Sequence, residues 1–274
     1  MKEIAMAQAK ALELDILLEF DRLCRDRGLT YYLAYGTLLG AVRHGGFIPW
    51  DDDIDVLMPR ADYERLVEEF PKACAVAHYR LVSPEDPLSR HSFIKIMDTR
   101  TVKIESNMDY TPGALGIDMD VFPLDGQPEG ESDHRVWYEK LQRCYRMADF
   151  PVRKTYGGRK KRWPLALINF LGGKRRWLGI AIKGFWQHRA LRLHRQYPYG
   201  SSSWVGMVEH CFGCEKERYP RQLFEETTLL EFEGHLFPAP AQYDEVLRIC
   251  YGDYMTPPPE SERGGHLIES AYWK

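Results

Sequence analysis

Four carboxylates fall within five residues in Trp50-Asp-Asp-Asp-Ile-Asp-Val-Leu-Met58, and the run leads straight into apolar residues. Like charges this close repel one another unless a cation lies among them. On an extended chain alternate side chains share a face. Asp53 and Asp55 therefore point one way, about 6–7 Å apart, while Ile54 and Val56 point the other. Asp51 is in phase with the first pair and joins it from the preceding loop. Ile117-Asp-Met-Asp-Val-Phe122 repeats the pattern, with Asp118 and Asp120 on one face and Met119 and Val121 on the other. A third carboxylate brought in from such a neighbouring strand completes a site for one or two Mg²⁺ ions, which prefer oxygen ligands. Acidic runs are usually solvated loops. Here the acids interrupt apolar strands, where burial without a metal is expensive.

Upstream lies Tyr35-Gly-Thr-Leu-Leu-Gly-Ala-Val-Arg-His-Gly-Gly46. Gly36 allows a tight turn between a strand and a helix. The first N–H groups of that helix, with the Thr37 hydroxyl, form an anion cradle. Arg43 and His44 follow one to two turns later, within reach of a diphosphate. A Gly-Thr turn into a helix followed by a DxD strand is the layout of a nucleotidyltransferase fold.

The remaining elements follow from periodicity. Residues 3–27 read as an amphipathic helix through Leu12, Ile16, Leu17, Phe20, Leu23 and Cys24, stopped by Gly28. Strands are expected at 31–34 and 54–58, with a short helix from Thr37 between them. A helix over 61–70 presents Tyr63, Leu66, Val67 and Phe70. Residues 93–97 and 101–105 alternate as a hairpin around Asp98-Thr-Arg100, and a strand from Leu115 ends at Pro123. Residues 128–200 read as mainly helical. A strand pair around Leu230–Phe237, a helix near 241–250 and a Pro-rich tail follow. This order indicates an α+β fold, a mixed β-sheet core flanked by helices. The expected division is a catalytic core over 1–127, a basic helical insertion over 128–210, and a C-terminal part over 211–274 that packs back on the core.

Composition excludes several classes. With 274 residues, 44% hydrophobic and 28% charged, the chain is a globular one. No apolar run is long enough to span a membrane. No apolar h-region follows Met1, so a reducing cytoplasm is expected for the six cysteines. Cys211-Phe-Gly-Cys214 is a lone CxxC, open to ordinary thiols, a zinc half-site or redox chemistry.

At this point the sequence resembles a known family. Ala34 to Val56 is similar to the signature of the LicD family, which includes bacterial phosphocholine transferases and is related to fukutin and fukutin-related protein. Phe93–Thr101, Ile117–Asp125, Phe232-Glu-Gly234, Tyr251-Gly-Asp-Tyr254 and the Pro257-Pro-Pro tail with Arg263 and His266 extend the resemblance over most of the chain outside 128–210. It implies Mg²⁺-dependent (Mn²⁺ as the alternative) transfer of a phospho-alcohol from a CDP-activated donor, CDP-choline first, to a hydroxyl of a glycan or lipid-linked glycan, releasing CMP. Carried over, Asp53, Asp55 and Asp120 are the catalytic and metal acids, with Asp51 beside them. Asp118 falls where relatives carry an aromatic or apolar residue. Lys95 matches a strand lysine that neutralises a phosphate, unless it is a solvent-facing hairpin lysine. His266 contacts substrate or packs the tail. An aromatic cage for choline would draw on Tyr31, Tyr32, Tyr35 and Trp50, unless these are core. The competing readings are a nucleotidyltransferase that releases pyrophosphate and a non-catalytic glycan- or nucleotide-binding protein.

The net charge of −3 averages unequal parts. Phe150 to Val208 holds thirteen Lys/Arg and no Asp or Glu, so the rest of the chain is strongly acidic. Apolar runs there, flanked by cations and Trp163, Trp177 and Trp186, suit peripheral contact with an anionic membrane through 153–195. No nucleic-acid motif accompanies the charge.

Overall fold

The computed structural model describes residues 2–86, 89, 91–105, 115–149, 176–207, 216–263 and 268–274. In chain order its elements are β1 (Lys2–Glu3), α1 (Met6–Arg27), β2 (Tyr32–Leu33), α2 (Tyr35–His44), β3 (Asp55–Pro59), α3 (Arg60–Ala73), β4 (Tyr79–Val82), β5 (Ile94–Asp98), β6 (Thr101–Glu105) and β7 (Asp118–Gln127). Then come α4 (Glu131–Asp149), α5 (Arg176–His194), β8 (Trp204–Gly206), β9 (Tyr219–Pro220), β10 (Thr227–Phe232), β11 (His235–Pro240), α6 (Tyr243–Tyr251) and β12 (Ile268–Trp273). The mixture of helices and sheets is the α+β fold expected.

The apolar stripe of α1 drives the assembly. Ile16, Leu17, Phe20, Leu23 and Cys24 enter the main core, and Leu12 joins Ile117 and Ile268 in a second cluster. The helix ends where Gly28 adopts φ 59°, a left-handed cap that glycine takes without strain. The main sheet runs β2-β3-β7-β5-β4, with β8 and β9 added beside the far half of β7. Among the described residues of this sheet, β3 and β7 pair in parallel and the other pairs are antiparallel.

Three expectations change. Residues 93–105 do not form a hairpin: β5 belongs to the main sheet, while β6 pairs with β12 in a second sheet that also takes β1. The cause is the lead-in to β7, which passes between them. Asp98 N–H donates to Ile117 C=O and Lys103 N–H to Leu115 C=O. The Thr101 hydroxyl donates to Asp98 C=O and accepts from Ile117 N–H. Second, β7 runs through Pro123 to Gln127 instead of stopping there. Its neighbour β5 ends opposite Val121 and β8 starts opposite Asp125, so proline's missing N–H costs no ladder bond on that side. Third, the tail contains β12, which closes the second sheet.

The helices α4 and α5 pack against each other, Trp137, Leu141, Cys144, Tyr145 and Ala190 forming their own small core. A polar latch ties them to the sheet. Arg60 donates twice to Asp125 at 2.7 and 2.5 Å. His194 Nδ1 lies 3.1 Å from the same carboxylate, and His194 Nε2 is 2.6 Å from the Tyr145 hydroxyl. Among the described residues no helix is long and apolar enough to cross a membrane.

Candidate active site

The parallel pairing of β3 with β7 sets Asp55 directly opposite Asp120. The alternation expected for the acidic run holds. Asp51, Asp53 and Asp55 are partly exposed on one side, and Asp52, Ile54 and Val56 are buried on the other. The backbone of Asp55 is held from two directions, its N–H donating to Thr37 Oγ1 at 2.8 Å and its C=O accepting from Ala34 N–H at 3.0 Å. Asp120 N–H donates to Ile54 C=O, which extends the parallel pairing into the lead-in to β3. The buried Asp52 accepts from Ile268 N–H at 2.9 Å, so the second sheet anchors the run from behind.

Gly36 and Thr37 sit at this site with different roles from those expected. The left-handed residue of the strand-to-helix turn is Tyr35, at φ 44°. Strain of this kind in a non-glycine residue concentrates at functional sites. Gly36 is required by space: a Cβ there would run into Asp51 Oδ2. Thr37 is buried and uses its oxygen as the latch to Asp55.

Lys95 is not a surface lysine. It is 4% exposed, and its ammonium lies 2.5 Å from Asp120 Oδ1 and 2.9 Å from Asp118 Oδ1. Lys103, reaching over from β6, donates to the same Asp118 oxygen at 3.0 Å. The acids respond to their neighbours. Burial, with Asp51 and Asp52 alongside, pushes Asp53 up to about 7. Burial, Asp53 and Asp120 raise Asp55 well above the usual carboxylate range. Asp120 rises to about 7 through burial, with Lys95 acting against it. Asp51 is raised by burial too. Asp118 goes the other way: burial works to raise it, but Lys103 and Lys95 together hold it below the ordinary value.

Arg43 and His44 close α2 near Trp50. Arg43 donates to Tyr254 C=O at 2.6 Å and lies 5.9 Å from the Trp50 ring, and Arg263 lies 4.4 Å from that ring. Burial and the Arg43 charge lower the His44 pKa. Three tyrosines considered for a choline cage are core instead. Tyr31 donates to Asp21, Tyr32 to Phe224 C=O, and Tyr35 packs edge-on to Phe122. His266, Cys211 and Cys214 lie outside the described residues. Among the buried charges that were not anticipated, Lys103 and Glu13 lie nearest the acidic cluster in their electrostatic influence. Lys103 alternates with Val102 and Ile104 and reads locally as a solvent-facing strand residue. Glu13 had a readable signal, since an acid one residue from Leu12 and three from Ile16 lies on the apolar stripe of α1.

A hard divalent cation suits this donor set. Asp53, Asp55 and Asp120 are all oxygen donors, and their raised pKa values reflect burial and mutual repulsion that a bound cation relieves. Among the described residues no three His, Cys, Asp or Glu side chains are already drawn into metal-holding geometry. Lys95 instead supplies the local positive charge at Asp120.

Comparison with known proteins agrees with the motif. The family model described as LicD/FKTN/FKRP, nucleotidyltransferase domain, matches residues 28–156. The chain is 32% identical over 276 residues to the lipopolysaccharide cholinephosphotransferase LicD of Haemophilus influenzae, covering 99% of both chains. Shorter matches include an uncharacterised Rickettsia typhi protein, 34% identical over 26% of this chain and 24% of that one. Mannosyltransferase regulator 4 of Saccharomyces cerevisiae is 29% identical over 37% of this chain and 8% of its own length.

Proposed function

This chain belongs to the LicD family, a transferase family, and on that premise we propose that it moves a phospho-alcohol, phosphocholine first, from CDP-choline to a hydroxyl of a cell-surface glycan or glycolipid precursor, releasing CMP. The observation that carries the reading is the pairing of Asp55 with Asp120 across parallel strands, with Asp53 and Asp51 in phase beside them, in a chain related end to end to a cholinephosphotransferase.

The chain's own residues account for the steps. Asp53, Asp55 and Asp120, with Asp51 adjacent, would hold one or two Mg²⁺ ions. Bound there, Mg²⁺ supplies positive charge to the diphosphate of the donor and to the charge that develops on it. Arg43, at the end of the helix that opens with Gly36 and Thr37, would add positive charge on the Trp50 side of the acidic run, and His44 beside it, its pKa lowered, would offer a neutral imidazole to the donor. The acceptor oxygen attacks the phosphorus that bears choline, a P–O bond forms, and the bond to CMP breaks with its electron pair leaving on CMP. Asp120 also orients, or takes the proton of, the acceptor hydroxyl as a carboxylate general base. Lys95 holds that carboxylate in place.

A lipid-linked acceptor also accords with peripheral contact at an anionic membrane surface through 153–195, at the cytoplasmic face. In its support, Phe185 is 62% exposed and Arg189 and Arg192 are exposed on the same helix. Lys183 is turned inward, donating to Ser89 C=O, and takes no part.

The test is incubation of the full chain with CDP-choline, Mg²⁺ and a lipopolysaccharide acceptor. CMP should appear with stoichiometric choline on the acceptor, and Asp53→Asn should lower turnover by about 10³-fold or more. A parallel incubation with CTP and phosphocholine that yields CDP-choline and pyrophosphate would establish the nucleotidyltransferase alternative. Release of neither would favour a binding protein. The same preparation should float with phosphatidylglycerol vesicles and not with phosphatidylcholine ones; equal behaviour in both would remove the membrane contact.

A further inference from the structure

Behind the carboxylates that face the site lies a second line of charge that the transfer reaction, as usually written, does not use. Asp120, Lys95, Asp118 and Lys103 follow one another in alternating sign, each in contact with the next. Lys95 Nζ is 2.5 Å from Asp120 Oδ1 and 2.9 Å from Asp118 Oδ1, and Lys103 Nζ is 3.0 Å from that same Asp118 oxygen. Asp118, Lys95 and Lys103 are all buried. Only Asp120 opens outward, with 15% of its side chain exposed.

We propose that Asp118 and Lys103 are positioning residues for the transfer, a buried pair that sets where the Lys95 ammonium rests and so how the Asp120 carboxylate is presented to the reacting groups. This rests on the reading of Asp53, Asp55 and Asp120 as the transfer centre and deepens it.

Geometry supports the assignment in three ways. Lys95 is shared between two acids, so its position reflects a balance of their pulls. Asp118 uses one oxygen for both lysines, so Lys103 competes with Lys95 for that atom and limits how far Asp118 can draw Lys95 away from Asp120. Finally, the anchor at the far end is rigid. Lys103 N–H donates to Leu115 C=O, and Thr101 bridges Asp98 C=O and Ile117 N–H, which locks β6 to the lead-in of β7. A side chain from the second sheet thereby reaches a carboxylate of the first. Packing alone would not require the charges, because buried ion pairs can often be replaced by apolar residues without loss of stability.

The experiment compares Lys103→Met, Lys103→Arg, Asp118→Asn and the double variant Lys103→Met/Asp118→Asn. It measures kcat and the KM for CDP-choline, Mn²⁺ binding by calorimetry without donor, and the thermal midpoint. Lys103→Met is expected to lower kcat about 10- to 100-fold, the usual cost of disturbing residues that orient metal-site ligands, while KM for the donor stays within about three-fold. Its Mn²⁺ affinity should hold or rise, because one positive charge has left the cluster. Asp118→Asn should lower kcat similarly but weaken Mn²⁺ binding, because one negative charge has gone. Arginine at 103 should restore kcat to within about five-fold, and the double variant should lose less than the product of the single losses, since the two residues act through one contact. Normal kcat in Lys103→Met, losses of kcat that track the thermal midpoint, or multiplicative losses in the double variant would each overturn the proposal. If Lys103→Met does not fold, the double variant decides: a lowered kcat at a normal midpoint supports the proposal, and a normal kcat overturns it. Asp53→Asn separates the two levels. If it remains active, the transfer-centre reading fails. If it is inactive while the ladder variants turn over normally, only the positioning role fails.

Discussion

Strand β7 carries Asp120 and Asp125 five residues apart, and the two carboxylates are perturbed in opposite directions. Burial raises Asp120 to about 7, with Lys95 opposing it. Asp125 is also desolvated by burial, yet Arg60 and His194 outweigh that and hold it far below the usual carboxylate range. The difference lies in who owns the cation. Among the described residues Asp125 is the one acid that the Arg60 guanidinium meets, in a two-bond fork. Asp120 shares one ammonium with Asp118 and faces Asp55 across the parallel pair. A carboxylate fully satisfied by protein charges fastens structure. One left with a deficit of positive charge is set up to receive it from a ligand.

The largest expected effect comes from removing the deficient acid. Asp120→Asn should lower kcat by about 10³-fold or more, measured as CMP release. It should not weaken the fold. A carboxyl whose folded pKa lies above its unfolded value binds more protons folded than unfolded, so stability falls as pH rises through the interval between about 4 and 7. Without divalent cations at pH 8, the Asn variant should therefore unfold at the same temperature as the parent or higher, by an amount worth about 1 kcal/mol or more. A large drop in midpoint would erase the contrast between the two acids.

Asp125→Asn should show the converse. It leaves the half-buried Arg60 and the buried His194 against a neutral amide, and losing the buried partner of such a pair costs about 3 kcal/mol or more. Urea unfolding is the direct measure. The sign with pH is also fixed. The folded pKa is depressed, so the stability this group contributes is present above its unfolded value of about 4 and is lost as pH falls toward the folded one. The parent should lose stability steeply on acidification below about pH 4, and the Asn variant should show a shallower acid limb. At temperatures where it stays folded, its kcat should remain within about ten-fold of the parent, since it holds α4 and α5 to the sheet and lies away from the paired acids.

How far this contrast was readable without coordinates depends on the range of the interactions. The phase of Asp51, Asp53 and Asp55 against Ile54 and Val56 is a local property of extended chain, and it appears as expected. The α1 stripe was equally local. The partition of residues 93–105 between two sheets was not, because the β7 lead-in that separates them is not part of that segment. The same limit hid β12, whose partners β6 and β1 lie far back in the chain, and hence Lys103, whose partner stands on another sheet. Gly36 shows a subtler limit. A glycine before a helix reads as a turn residue, but the turn's left-handed residue is Tyr35, and the glycine answers to Asp51, fifteen positions on.

Glu13 offers the smallest effect and the finest test of the rule. It is fully buried on α1, and neither carboxylate oxygen has a hydrogen-bond partner among the described residues. Burial raises its pKa well above the ordinary value; Lys103 pulls it down, but not by enough. By the reasoning applied to Asp120, a buried acid with a deficit of positive charge keeps its proton. Glutamine then mimics the form already present, so Glu13→Gln should change kcat by less than about three-fold. Stability distinguishes it from a silent change. In the parent the folded state holds a proton that the unfolded chain has lost, so each step of pH above about 4.5 costs stability until the folded group itself ionises. Thermal midpoints of parent and variant should diverge between pH 5 and pH 8, with the Gln variant gaining as pH rises. Parallel curves would mean that Glu13 is ionised and paired with Lys103, which would place it beside Asp125 among the satisfied acids.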